Sequence, residues 1–337
     1  MALTLLDIAR TKKDDFAKEV IETFAKECDI SRKIPLETIN TTEVSARRTN
    51  SVPDVGFRRR GESFGAVKGG GYDTVADAVF PMGANIDIDK ADLRDKNPIE
   101  DPLATRTRET INAMTWKFNH TFINGDHGTD EDTFEGIKVR MANLPASQTV
   151  YGTDSTTAFD LIGAITANTT ATLNAFMDKV DAAIYACNGH TADVCLTYAD
   201  SIAAFKAALR RLNLYKDIEP TKPEVNPSNQ RRSGNEWDNR PVFRYNGVDF
   251  FDMGLDRTQT TPIVGTDTVG GVACRPFYFL KLGKPYFSGI QQYAMEVTKP
   301  FMMPDAVTWR TVVDWPVGLR NVHTSSGSVL KGVKVAV

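Results

Sequence analysis

A long stretch near the N-terminus, residues 30–90, has too few apolar residues to form a hydrophobic core, and this limits what the chain can fold into. From Ile30 to Asp54 the helical spacing of apolar residues disappears, and Pro35 and Pro53 lie among polar residues. Large apolar side chains are too few there to offset the entropy lost on ordering. The segment is therefore interpreted as an extended arm that lies against another surface and does not form a compact unit.

The second half of this stretch, residues 55–90, is predicted to form a long hairpin or loop excursion. Apolar residues alternate on the outward and return runs, and glycines occupy positions 65, 69, 70 and 71 between them. Lys68 precedes the last three glycines and no G-x-x-x-x-G-K-[ST] motif exists, so a phosphate-binding loop is disfavoured. A solvated charged run remains the alternative to a subunit contact, for which the candidate residues are Arg58, Arg59, Arg60, Glu62 and Lys68.

Amphipathic helices are predicted on both sides of this stretch. One carries an apolar stripe from Ala17 to Cys28, expected to pack on a neighbouring subunit. The other begins at Asp101-Pro102 and spans residues 101–122, about 33 Å at ~1.5 Å per residue. It is expected to end at Gly125 in a left-handed conformation. Its expected core-facing residues are Ile111, Met114 and Phe118.

The remainder of the chain mixes the two element types, which gives an α+β fold class. Helices and short strands alternate over residues 157–252, where Asn246-Gly247 predicts a type I′ hairpin turn. Residues 213–240 form a long polar connection with three prolines. The last 85 residues are rich in strands, predicted near 275–282, 291–299, 305–314 and 328–337.

Composition excludes several classes of protein. The 337 residues allow two domains, and 40 Lys and Arg against 43 Asp and Glu leave a net charge of −3. A protein that binds nucleic acid over its whole surface would be strongly basic. The four cysteines contain no C-x-x-C and are interpreted as reduced, buried thiols. Neither a signal peptide nor a membrane-spanning run of about 18 apolar residues is predicted.

Motifs for catalysis are nearly absent. The sequence contains no G-x-S-x-G, H-E-x-x-H or G-x-G-x-x-G motif, and its four histidines lie on different predicted elements. The acidic loop after the long helix fails the calcium-loop template, because Glu131 replaces its glycine and Ile137 its final glutamate. We therefore predict no catalytic residue, cofactor or metal, and expect that the chain is not an enzyme.

Several short motifs follow one another in order along nearly the whole chain. The most specific is Asn124-Gly125-Asp126 followed by Phe134-Glu135-Gly136-Ile137 after the long helix. The others are Leu3-Thr4-Leu5-Leu6-Asp7, Val55-Gly56-Phe57-Arg58-Arg59 and Tyr198-Ala199-Asp200-Ser201-Ile202-Ala203-Ala204. With these motifs in this order, the chain resembles the major capsid proteins of tailed bacteriophages with the Hong Kong 97-type fold.

The resemblance implies a layout and a function. The layout is an N-terminal arm (1–54), an E-loop (55–90), a peripheral domain with a spine helix (91–149), an axial domain (150–270) and strands that return to the peripheral domain (271–337). The implied function is self-assembly into pentamers and hexamers of an icosahedral shell around double-stranded DNA. Partners would be other copies of the chain, a portal protein and a decoration protein, with assembly in the host cytoplasm and location in the virion.

Two features of some members of this family are not matched in this sequence. Some members carry a cleaved scaffolding extension, and because the arm here starts directly at Met1, a separate scaffolding protein is expected. Some members crosslink an E-loop lysine to an asparagine, but no partner for Lys68 can be matched, which favours a solvated lysine. An encapsulin-like compartment shell and an α/β enzyme with an unrecognised site remain the alternatives.

Overall fold

The computed structural model describes residues 4–11, 14–49, 53–64, 71–92, 102–214, 243–305 and 307–335. These residues form helices and strands in similar proportion, which confirms the α+β class. The helices are α1 (Leu5–Thr11), α2 (Asp15–Glu27), α3 (Asp29–Lys33), α4 (Pro102–Asn124), α5 (Ile137–Ala142), α6 (Leu161–Ala167), α7 (Thr170–Ala186) and α8 (Ala199–Arg211).

The strands fall into three sheets. They are β1 (Leu36–Thr38), β2 (Glu43–Thr49), β3 (Tyr72–Ala78), β4 (Phe80–Asp89), β5 (Thr149–Tyr151), β6 (Phe159–Asp160), β7 (Val194–Thr197), β8 (Phe243–Tyr245), β9 (Val248–Asp252), β10 (Asp267–Val269), β11 (Val272–Leu280), β12 (Phe287–Gln291), β13 (Glu296–Val297), β14 (Phe301–Met302), β15 (Thr308–Asn321) and β16 (Gly327–Lys334).

The six-stranded sheet is built around β15, and the long helix α4 packs on it. Strands β12, β13, β14 and β4 all pair with β15, and β1 extends the sheet by pairing with β12. Burial alternates along the first half of β15, where Thr311, Val313 and Trp315 are buried, and residues 315–319 are then buried on both faces. The rings of Phe118 and Trp315 lie 5.4 Å apart. Ile111 and Met114 are buried in the same cluster, so the predicted buried face of the helix is confirmed.

The end of α4 differs from the prediction in one respect. Gly125 is not among the residues with positive φ, so it is not a left-handed helix terminus. A Cβ atom at this position would lie 2.4 Å from the carbonyl oxygen of Phe134 and 2.5 Å from that of Thr121. Glycine is therefore required there because two backbone segments approach each other closely.

The N-terminal segment, described over residues 4–11 and 14–38, packs against the rest of the subunit. The ring of Phe24 on α2 lies 6.0 Å from Phe118 and 5.5 Å from Trp315, and the Cys28 thiol donates to Asn119 Oδ1 at 3.0 Å. The prediction that this stripe packs on a neighbouring subunit is therefore wrong. Helical periodicity shows that one face is buried, but it does not show which chain buries it.

The eight-stranded sheet is buried on both faces. Its strand order is β5-β16-β11-β7-β9-β8, with β10 on β11 and β6 on β16. Along β11, Tyr278 and Leu280 join the cluster that contains α4, whereas Phe277 and Phe279 join a second cluster with α7 and α8. The two-residue alternation of a strand thus supplies both cores from one sheet.

The late strands divide between the two large sheets. Strands β12 to β15 lie in the six-stranded sheet, whereas β11 and β16 lie in the eight-stranded sheet. The reason is their composition, because both strands are apolar on both faces and need a covered position on each side. The predicted Asn246-Gly247 turn is confirmed, with φ of +48° and +81°.

Candidate assembly surface

The projecting feature of the subunit is the hairpin of β2 and β3. The two strands form a separate antiparallel sheet of seven residue pairs, from Glu43 opposite Ala78 to Thr49 opposite Tyr72. The paired strands therefore begin earlier than the expected 55–90 excursion. Its return run ends in β4, which instead pairs with β15 because Ile86 and Ile88 fit the buried face of the six-stranded sheet. An isolated two-stranded hairpin is marginally stable in water, so this one needs further contacts.

The end of the hairpin exposes an unusual amount of apolar surface. All residues of the hairpin tip, defined as residues 53–64, are exposed. Val55 is 79% exposed, Phe64 is 67% exposed and Phe57 is fully exposed, while Tyr72 at the end of β3 is 65% exposed. Clustered exposed apolar side chains are typical of protein–protein contacts, because burying them on a partner is favourable.

Charged residues are interleaved with these apolar side chains. Arg58 Nη1 donates to the carbonyl oxygen of Glu62 at 3.0 Å, and its guanidinium lies 5.0 Å from the centre of the Phe64 ring. The amide of Glu62 donates to the carbonyl oxygen of Arg59 at 3.2 Å across a turn in which Gly61 has φ of +92°. Among the described residues of the tip, the predicted contact residues therefore form one small exposed surface that is both basic and apolar.

Four of the five predicted contact residues thus lie together, on the exposed tip. Arg58, Arg59 and Arg60 precede the turn glycine and Glu62 follows it. Lys68, the fifth, lies outside the described residues. The sequence signal behind these candidates is the run of arginines beside a glycine-rich stretch, in a segment with too few apolar residues to bury itself.

The root of the hairpin is fixed by a buried ion pair that sequence reasoning missed. Asp77 on β3 is 3% exposed and Arg140 on α5 is 8% exposed, and Asp77 Oδ1 lies 2.8 Å from Arg140 Nη2. Asp77 Oδ2 also accepts from the amide of Asn321, and Arg140 donates to the carbonyl oxygens of Glu135 and Leu319. No local sequence pattern marks such a pair, because its members lie on elements far apart in the chain.

Two buried thiols and the acidic loop after α4 are candidate chemical groups. Burial raises the pKa of Cys187 to about 11 and that of Cys195 well above its ordinary value, so both thiols are protonated at neutral pH. In the acidic loop, Asp126 accepts from Gly128 and Thr129 of its own turn. Within the described ranges, no three His, Cys, Asp or Glu side chains are arranged to hold a metal ion.

No described helix is both long enough and apolar enough to cross a membrane.

Comparison with known proteins identifies the fold. No protein-family model matches the chain, and no curated protein matches it. Solved structures match over most of its length. The encapsulin in the holo-SrpI complex of Synechococcus elongatus PCC 7942 has a TM-score of 0.58 at 12% identity, covering 91% of this chain and 88% of that chain.

Two viral-type shells match almost as well. The capsid of the native GTA particle, computed with C5 symmetry, has a TM-score of 0.54 at 10% identity, covering 89% of this chain and 88% of the other. The capsid of Myoviridae phage XM1 has a TM-score of 0.53 at 11% identity, covering 88% and 89%. The fold is therefore the Hong Kong 97-type fold of capsid and encapsulin shells, as the sequence motifs implied.

Proposed function

We propose that this chain is the major capsid protein of a tailed bacteriophage and self-assembles into the pentamers and hexamers of an icosahedral head that encloses double-stranded DNA. The observation that carries the proposal is the match of nearly the whole chain to nearly the whole of known shell subunits. Each of these matches covers 88–89% of both chains, so most of this chain and most of each shell subunit share one fold.

The surface of the subunit supports assembly through this hairpin. The tip places the exposed aromatic ring of Phe57 beside three arginines on a two-stranded sheet that lacks a core of its own. In the proposed shell, Arg58, Arg59, Arg60, Glu62 and Lys68 contact a neighbouring subunit. A projection that meets a different surface on its neighbour gives a heterologous contact, which closes into rings when the rotation fits.

The net charge of −3 is also consistent with a wall around packaged DNA, because a strongly basic inner surface would bind the genome instead of containing it. The proposal includes no catalytic activity. It places the protein in the virion after assembly in the host cytoplasm. Its partners are other copies of the chain, a scaffolding protein, a portal protein and a decoration protein.

A second candidate, an encapsulin-like compartment, is favoured by the match to the SrpI encapsulin, whose TM-score of 0.58 exceeds those of the two capsids reported above. The two candidates share the shell and differ in its contents. A compartment would enclose a protein cargo, whereas a phage head would enclose DNA.

Electron microscopy of the purified protein, expressed alone and together with a scaffolding protein, tests the proposal. We expect closed particles with fivefold vertices. A protein that stays monomeric under both conditions, while folded by circular dichroism, would contradict a shell function. Particles purified from the natural source then separate the two candidates, because nuclease-protected DNA supports the phage head and a co-purifying enzyme supports the compartment.

A further inference from the structure

The hairpin is tied to the subunit body at its root, while its far end is exposed. On β3, residues 72–74 and Ala76 are exposed and Val75 is half-buried, whereas Asp77 is fully buried. The amide of Val79 donates to the carbonyl oxygen of Thr42 at 2.9 Å and closes the root. The ion pair of Asp77 with Arg140, here called the root pair, therefore lies where the exposed hairpin meets the core.

The geometry of the root pair restricts orientation as well as distance. The Arg140 guanidinium is held by three oxygens: Asp77 Oδ1, the carbonyl of Glu135 and the carbonyl of Leu319. These come from three different parts of the chain, namely β3, the loop that precedes α5, and β15. A planar guanidinium with fixed donors in several directions defines an angle between the elements that it joins.

The backbone beneath the root pair adds a second restraint. A Cβ atom at Gly318 would lie 2.4 Å from the carbonyl oxygen of Ala78, so β3 lies directly on β15 at this point. The second carboxylate oxygen of Asp77 accepts from the amide of Asn321, also on β15, at 3.3 Å. Ala78 of the hairpin therefore approaches the backbone of β15, and Asp77 accepts a hydrogen bond from the same strand. Both restraints attach the hairpin to β15.

A small change in the angle at the root produces a large displacement at the far end of the hairpin. At about 3.4 Å per residue, the seven paired residues extend about 20 Å from the root, so a rotation of about 10° there moves the far end of the strands by about 3–4 Å. Protein contacts lose complementarity over much smaller shifts, because packed interfaces are as dense as protein interiors.

We propose that Asp77 and Arg140 are positioning residues that fix the direction in which the hairpin leaves the subunit, and thereby the angle between neighbouring copies of this chain. The proposal rests on the proposed shell function. It adds that the root pair determines the angle between neighbouring subunits of the shell. The root pair itself is buried within the subunit. It acts through the tip, whose contact it aligns.

The test compares Asp77→Asn with a destabilised control of equal melting temperature. The control is chosen from Val180→Ala and Leu173→Ala, whose side chains are buried in the second core cluster on α7, away from the hairpin. Hydrogen exchange of residues 43–49 and 72–78 is measured in the unassembled subunit, and particle diameters are measured by electron microscopy. The control shows what loss of stability alone does to both readings.

For Asp77→Asn we expect faster exchange in the hairpin strands than in the control. We also expect the yield of particles with wild-type diameter to fall by about tenfold or more, because losing one charge-assisted hydrogen bond shifts an equilibrium by that order. If the variant folds and gives wild-type diameters at the yield of the control, the proposal is overturned. The proposed shell function would survive that result, because particles would still form.

A second variant covers the case in which Asp77→Asn does not fold. Asp77→Asn combined with Arg140→Gln leaves no unpaired buried charge, so the subunit should fold. The hydrogen bonds that the guanidinium donates in several directions are lost in this variant. We expect particles of broadened diameter or none. A folded double variant that forms particles of uniform wild-type diameter would also overturn the positioning role.

Discussion

The N-terminal segment and the β2–β3 hairpin differ in where their phenylalanine side chains lie. Both come from the stretch of chain that precedes α4, and both contain phenylalanine residues. In the structure, Phe24 of the N-terminal segment is buried between Phe118 and Trp315, whereas Phe57 of the hairpin tip is fully exposed. One segment finds its partner within the subunit and the other does not.

The contrast shows what apolar patterning can indicate. In α2 the apolar residues recur at helical spacing, so they form one continuous stripe that fits the groove beside α4. In the hairpin tip they are separated by arginines and glycine, so no face of the tip can be buried without also burying charge. A contact that such a tip can make is therefore one with charged partners at its rim, as in an interface between subunits.

Deleting the two segments should have the largest and most different effects. Removal of residues 1–29 takes α1 and α2 from the main core, so we expect the cooperative thermal transition to be lost. Replacement of residues 53–64 by a flexible linker of equal length should leave that transition unchanged and abolish particle formation. A cooperative melt near the wild-type temperature for the first deletion would show that the N-terminal helices are not part of the subunit core.

Single aromatic substitutions sharpen the same comparison. We expect Phe24→Ala or Phe118→Ala to cost about 3–5 kcal/mol of the free energy of unfolding, because each leaves a cavity in a packed core. The matched change Phe57→Ala in the tip should alter the stability of the unassembled subunit by less than about 0.5 kcal/mol. Urea titration of the three variants checks both values. A cost for Phe57→Ala comparable to that of Phe24→Ala would place the tip within the subunit core.

A pH-dependent contrast between the two regions is smaller. Asp249 accepts from Arg244 Nε at 2.6 Å and from Lys33 Nζ at 2.8 Å, which ties the N-terminal segment to the eight-stranded sheet. Burial opposes ionisation, but the hydrogen bonds from Arg244 and Lys33 outweigh it and lower the pKa of Asp249. Because the folded pKa lies below the unfolded value of about 3.9, the stabilisation is complete above that pH and is lost as the pH falls through the folded pKa.

We therefore expect Asp249→Asn to lower stability at pH 7 by about 1.5–3 kcal/mol, the usual contribution of hydrogen bonds to a charged group. The difference from the wild-type protein should shrink when both are measured below about pH 3.9, since the carboxylate is then being protonated. Phe57→Ala in the exposed tip serves as the control, because it removes no titratable group and its difference from the wild-type protein should not vary with pH. A gap between wild type and Asp249→Asn that stays constant down to the acid transition would contradict the role assigned to this carboxylate.

Local patterns were sufficient to predict some of the elements, and insufficient to predict the bounds of several strands or the partners of the elements. The helix α4 and its buried residues followed from capping and periodicity, and the Asn246-Gly247 turn followed from its dipeptide. The packing of α2 inside the subunit and the division of β11 and β16 from the other late strands depend on long-range pairing that no local pattern encodes. The same reason hides Asp77 and Arg140, which were found only in the folded structure.

The central claim, that the hairpin tip is ordered by a neighbouring subunit, is tested most directly by limited trypsin digestion of free and assembled protein. Arg58, Arg59 and Arg60 are exposed on a tip without a core, and exposed basic loop tips are preferred cleavage sites. We expect rapid cleavage near residues 58–68 in the unassembled subunit and strong protection in particles. Equal cleavage rates in the two states would contradict the claim, because they would show that assembly leaves the tip uncovered.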